Sequence, residues 1–123
     1  MIRYFLLSYF FLISVSVSAK TILVTSGKSD NSIKNAILKA SENDTIIIKS
    51  GVYYENLISI EKPLTIIGDK GAIVDSQEGD EIFIVQSDGV VIQNLILKNI
   101  GVSYIKDRAA IRLNRVRDVK ILN

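Results

Sequence analysis

The chain has 123 residues, a length that suits one domain, with 15 basic and 13 acidic residues and a formal net charge of +2. So even a balance gives little general attraction to nucleic acid or anionic membranes. His, Cys and Trp are absent and the one Met is Met1. That excludes imidazole acid–base catalysis, a Ser-His-Asp triad, disulfides and soft-metal coordination beyond Met1, and leaves carboxylates, Lys, Arg, Tyr and hydroxyls for any chemistry.

Residues 1–19 read as a cleavable secretory signal. Arg3 is a short positive region, Tyr4 to Val17 is uncharged and rich in Phe, Leu, Ile and Val, and Val17-Ser18-Ala19 offers the small side chains that a signal peptidase reads. The apolar run is shorter than the ~20 residues of a membrane-spanning helix, and no later segment is long and apolar enough to span. Cleavage between Ala19 and Lys20 leaves about 104 residues with a formal charge of +1 once Arg3 is gone. The expected location is the periplasm.

Thr21 to Thr25 reads as a short strand, followed by a polar turn over Ser26 to Asn31. The period then changes. Ile33, Ala36, Ile37 and Ala40 fall at i, i+3, i+4 and i+7, one apolar face of a helix over Ser32 to Ser41. Asp30, Asn31 or Ser32 can cap it with a side-chain oxygen, and Glu42-Asn43-Asp44 ends it. From there the pattern is strands and turns: Thr45 to Lys49; a second strand within Val52 to Ile60; Leu64 to Gly68; Ala72 to Val74; a polar loop over Ser76 to Asp80; Ile82 to Val85; a long strand over Val90 to Lys98; turns over Asn99 to Asp107; then Ile111 to Leu113 and Val119 to Ile121.

Three segments form a family: Leu64-Thr65-Ile66-Ile67-Gly68, Val90-Val91-Ile92-Gln93-Asn94 and Val119-Lys120-Ile121-Leu122-Asn123. They are spaced 26 and 29 residues apart. Repeats at that interval signal a solenoid, and short strands with a single helix favour a β-solenoid over a leucine-rich repeat. The expected fold is all-β: a right-handed parallel β-helix with an N-terminal amphipathic helix capping the open strand edges of its first coil. Asn94, Asn99, Asn114 and Asn123 stand at strand ends, where Asn tolerates left-handed backbone. Residues 20–123 would then be the cap and first coils of one domain. With Val119 to Asn123 reading as the start of a coil, the domain is expected to continue past residue 123.

The opening, Ser32 to Ile37, Asp44 to Lys49, Gly51 to Leu57 and Lys62 to Gly68, resembles that of pectin-lyase-like β-helix proteins, and within them most resembles the NosD family of periplasmic accessory proteins for nitrous oxide reductase maturation. Gly89 to Leu95 and Asp107 to Ile111 are similar too, with Ala110 standing where the pattern has Gly. The resemblance implies a non-enzymatic role in copper delivery or assembly, with an ABC-type transporter and nitrous oxide reductase as partners. It also implies copper ligands outside this segment, which has none of the usual ones. Two alternatives remain open: a carbohydrate-active β-helix enzyme of pectin methylesterase or polysaccharide lyase type, and a carbohydrate-binding or adhesin solenoid without chemistry.

Within the segment no catalytic, cofactor or metal residue is assigned. Asp75, Glu78, Asp80 and Glu81 have the oxygen ligands of a Ca²⁺ site or the paired carboxylates of glycoside chemistry, but their spacing fits no defined calcium loop, and a solvated loop is the simpler reading. Arg108, Arg112, Arg115 and Arg117 offer a basic patch for polyanionic sugars, phosphate or an acidic partner, or else outward residues that keep strand edges soluble. Tyr53 and Tyr54 with Glu55 and Asn56 offer a sugar-stacking patch, although alternation places one Tyr inside and its neighbour in water.

Overall fold

The computed structural model describes residues 18–27 and 31–123. The signal segment therefore lies outside the described residues apart from Ser18 and Ala19, as does Asp30. The described chain winds into a parallel β-helix of about four turns. In chain order the elements are β1 (Thr21–Val24), α1 (Ile33–Lys39), β2 (Thr45–Ile48), β3 (Gly51–Tyr54), β4 (Ile58–Ile60), β5 (Thr65–Gly68), β6 (Ala72–Gly79), β7 (Phe83–Val85), β8 (Val91–Gln93), β9 (Ile96–Ile100), β10 (Ile111–Leu113) and β11 (Lys120–Leu122). They stack into three sheets, β1-β2-β5-β8-β11, β3-β6-β9 and β4-β7-β10. Every pairing is parallel, and each strand's partner lies one coil away.

The register explains the sequence pattern. Ile22, Ile46, Ile66, Ile92 and Ile121 occupy one rung position through the whole first sheet. The three middle members of this ladder are buried and the outer two are not. Alternation sends their neighbours Leu23, Ile47, Ile67, Gln93 and Leu122 outward. The other two sheets supply Tyr53 and Val74, and Ile58, Phe83, Ile60 and Val85, to the same core. Beta-branched side chains fill a stack of short strands well, because each one packs on its equivalent a coil above and below.

The sheets meet at corners, and the corners divide two of the expected strands. Val52 to Ile60 is β3 and β4, broken at Leu57 with φ +50°. Val90 to Lys98 is β8 and part of β9, broken at Asn94 with φ +58°. Two expected turns are strand in part, while Gly101 to Asp107 is turn and loop as expected. β6 runs through Ser76 to Gly79, carrying an irregularity in which Gln77 and Glu78 take positive φ, and Asn99 and Ile100 belong to β9. Asn94 and Asn99 adopt the left-handed conformation expected of them, whereas Asn114 and Asn123 do not; Arg115 and Asp118 turn the last corner instead. Corner packing is tight enough to demand glycine at Gly68, where a Cβ would meet the Asn94 carbonyl oxygen at 2.3 Å.

α1 lies across β1, β2 and β4 and takes the place of the first coil's other two sides. Its apolar face, Ile33, Ala36 and Ile37, continues into Ala40 and is buried, as the spacing predicts. Seven residues make a helix too short to stand alone in water. It is pinned at its start by two side chains. Ser32 Oγ accepts from the Asn35 N–H at 3.0 Å, and the Glu55 carboxylate accepts from Ile33 N–H at 2.8 Å and Lys34 N–H at 3.1 Å. Among the described residues no helix is long and apolar enough to cross a membrane.

Candidate functional site

Half of the acidic loop, Asp80 and Glu81, and half of the arginine cluster, Arg108 and Arg112, share one corner of the β-helix. The segment 101–110, between β9 and β10, folds back over the corner that joins β6 to β7. Gly101 N–H donates to the Gly79 carbonyl at 2.9 Å, and a Cβ at Gly101 would come within 2.0 Å of the Glu78 carbonyl oxygen. This approach brings the cations onto the acids. The Arg108 guanidinium lies 3.5 Å from Asp80 and donates to the Gly79 carbonyl at 3.3 Å. Lys106 Nζ lies 3.7 Å from Asp80 and 4.0 Å from Glu81. The Arg112 guanidinium pairs with the Glu81 carboxylate and also reaches the Asp107 carbonyl at 3.2 Å.

Glu81 is the centre of this group, a carboxylate only 2% exposed. Its own backbone N–H holds the acid below the usual carboxylate range; Arg112 adds to that, and burial opposes it. It is therefore an anion at neutral pH, not a proton donor. Asp80 is engaged twice by cations. Asp80 and Glu81 are thus paired with Lys106, Arg108 and Arg112 at this corner. Arg108 Nε is buried with no hydrogen-bond partner among the described residues. The Arg108 residue also helps line a shallow cleft of about 290 Å³ with Ile100, Val102, Lys106 and Asp107. Val102, Tyr104 and Ile105 stand almost fully exposed on the same segment.

The remaining candidates disperse. Asp75, expected in a solvated loop, is buried: it accepts from Gln77 N–H at 2.8 Å and from the Asn99 amide at 2.9 Å, fixing the β6 irregularity. Glu78 is exposed and joins no ion pair within 4.0 Å among the described residues. Among those residues no three His, Cys, Asp or Glu side chains converge as a metal site. Arg115 and Arg117 lie apart from Arg108 and Arg112; Arg117 contributes its backbone N–H to Asp88 at 2.7 Å. Tyr53 is buried and donates its hydroxyl to the carbonyls of Lys49 and Val24 at 2.8 and 3.1 Å, while Tyr54 faces water. Its neighbours are structural: Glu55 caps α1, and the Asn56 amide donates to the Ser76 carbonyl at 3.4 Å.

Sequence reasoning passes over two residues here. Lys106 stands two residues ahead of Arg108 but outside the arginine cluster as its residue type defines it. Asp44 reads as a helix terminator, yet it is a carboxylate 1% exposed. It accepts from the backbone N–H of Ser41 at 2.7 Å and of Lys20 at 2.8 Å, with Lys20 Nζ 3.6 Å away. These bonds, the one from the Lys20 backbone first, lower its pKa against the cost of burial. The Ser41-x-x-Asp44 spacing is the available signal for half of this arrangement. Ser18, Ala19 and Lys20 are exposed, with strand β1 beginning directly after them.

No protein-family model, curated protein or solved structure compared with the chain matches it.

Proposed function

We propose that this chain acts as an exported, non-enzymatic β-helix scaffold of the NosD type, serving copper delivery to nitrous oxide reductase together with an ABC-type transporter. Residues 1–19 act as the leader that sends it to the periplasm, with cleavage between Ala19 and Lys20. The parallel β-helix with its N-terminal helix supports the superfamily, and the residues quoted for the resemblance support the family.

The observation that carries the scaffold over the enzyme is the corner at Glu81. Of the acids and arginines with catalytic potential, Asp80 and Glu81 are paired with Arg108 and Arg112, and Asp75 is bonded within a strand irregularity, which favours a structural part for these five. A sequence without His or Cys gives copper no soft ligand apart from Met1. In this reading the solenoid therefore positions partners, and copper is cargo that other groups ligate. The test is a deletion of the gene in a nitrous-oxide-reducing host, with measurement of copper in the purified reductase. Copper-deficient reductase, restored by complementation, is the expected result. Fully loaded reductase overturns the role, and depolymerisation of an acidic polysaccharide by the purified protein would put the enzyme reading in its place.

A further inference from the structure

Among the described residues, Asp44 is the one buried carboxylate whose partners include the residue at the expected cleavage point. Lys20 is held there by the fold. Its carbonyl accepts from Thr45 N–H at 3.0 Å, its successor Thr21 pairs in register with Thr45, and its Nζ donates to the Lys39 carbonyl at 3.3 Å. Ala19, one residue earlier, is exposed and outside any strand. The position of the Lys20 nitrogen, 2.8 Å from Asp44 Oδ1, is thus set by strand β1 on its C-terminal side. In the precursor that nitrogen is a neutral amide.

We propose that Asp44 is the binding site for the new N-terminus: once Ala19–Lys20 is cleaved, the α-ammonium of Lys20 forms an ion pair with the buried Asp44 carboxylate. The proposal rests on the reading of residues 1–19 as a cleaved leader. In the cleavage step a signal peptidase adds water across the peptide bond. The water oxygen joins the Ala19 carbonyl carbon, the C–N bond breaks, and the Lys20 nitrogen takes a proton to become an amine that is protonated at neutral pH. The former amide hydrogen bond becomes a charge-assisted one at the same place, with no movement of the strand. The cations around it leave room for this charge. Lys20 Nζ is half-exposed and 3.6 Å from the other carboxylate oxygen, Oδ2, and Lys62 is bonded to the Ala40 carbonyl. Asp44 also ties Ser41, just after α1, to the first strand. Processing therefore tightens this clamp on the cap of the β-helix, which in the precursor is held at this point by the neutral Lys20 amide hydrogen bond.

The experiment uses protein exported and processed by cells carrying the full gene. Intact mass identifies its N-terminus, and limited acylation at pH 7 reads the reactivity of the α-amine in folded and in urea-unfolded protein. An adjacent buried anion favours the protonated, unreactive form of an α-amine, so the folded amine is expected to react about tenfold more slowly than the unfolded one. Lys20→Gln keeps the slow α-amine, because the effect does not depend on Nζ. Asp44→Asn brings the ratio towards one; if that variant fails to fold, the folded-to-unfolded ratio of the unmutated protein still decides. An N-terminus other than Lys20 overturns both the cleavage position and the clamp. An N-terminus at Lys20 with a ratio near one overturns the clamp alone and leaves the cleavage standing.

Discussion

Between β2 and β5 the coil takes 20 residues from Thr45 to Thr65; between β8 and β11 it takes 29, from Val91 to Lys120. The short coil is nearly minimal. Its three strands run into one another through corners of a few residues, and its interior is Ile46, Ile48, Tyr53, Ile58 and Ile60, all buried. In the long coil the added residues leave the rungs in register and appear as the segment 101–110 at one corner. There apolar packing gives way to ion pairs, with Val102, Tyr104 and Ile105 in solvent. The difference amounts to a division of labour. The ladder tolerates one composition and little else, while a corner accepts length and charge without disturbing the sheets. Chemistry specific to this protein is therefore to be sought at corners.

The contrast is sharpest along the isoleucine ladder. Ile66→Ala removes a fully buried side chain with neighbours on both sides and is expected to cost about 2–5 kcal/mol in urea unfolding. Ile121→Ala, at a half-exposed position of the same ladder, should cost less than half as much; equal losses would break the view that burial on the ladder sets the energy. At the charged corner, Arg112→Ala leaves Glu81 buried without its closest cation. Because the folded-state pKa of Glu81 is lowered, the stability it contributes is present above the ordinary carboxylate value and is lost as pH falls through the folded one. The variant should be less stable than the unmutated protein at pH 7, and their denaturation midpoints should converge as pH falls below the usual carboxylate range and through the lowered value of folded Glu81. Parallel curves would show that the pair is electrostatically idle.

Two smaller changes probe the capped end. Glu55→Ala withdraws the carboxylate from the first N–H groups of α1 and should lower stability by about 1 kcal/mol, with faster amide exchange at Ile33 and Lys34. Leu57→Asn places a residue that tolerates left-handed backbone at φ +50° and replaces a side chain that is 45% exposed. A gain of about 0.5 kcal/mol is expected, read as a shift in thermal midpoint; a loss would mean that Leu57 packs on the helix more than its exposure suggests.

The ladder was legible because Ile66, Ile92 and Ile121 recur with an apolar residue two places before and Gly or Asn two places after. Its first two members were not, since Thr45 to Lys49 lacks the closing Gly or Asn that marks the others, and Ile22 sits in a strand cut short by Thr25. The corners were half legible. Asn94 and Asn99 announce left-handed backbone by residue type; Leu57 and Arg115 do not, because there the closing geometry of the coil overrides local preference. The ion pairs were hidden for a different reason. Arg112 lies 31 residues from Glu81 and Arg108 pairs with Asp80 from the next coil. Which charges meet depends on the exact length of each coil, and composition does not disclose it.

The five-membered isoleucine ladder also fixes how the molecule comes apart. Every rung is held by the rung before and the rung after, and by nothing more distant, so an opening event travels along the axis one coil at a time. Amide exchange should be slower on β5, which has a strand on both sides, than on β1, which pairs with β2 alone among the described residues. The β-helix then behaves like a zipper. A partner that grips the 101–110 segment pulls first on its own coil, and the strain reaches α1 only after the intervening rungs have yielded.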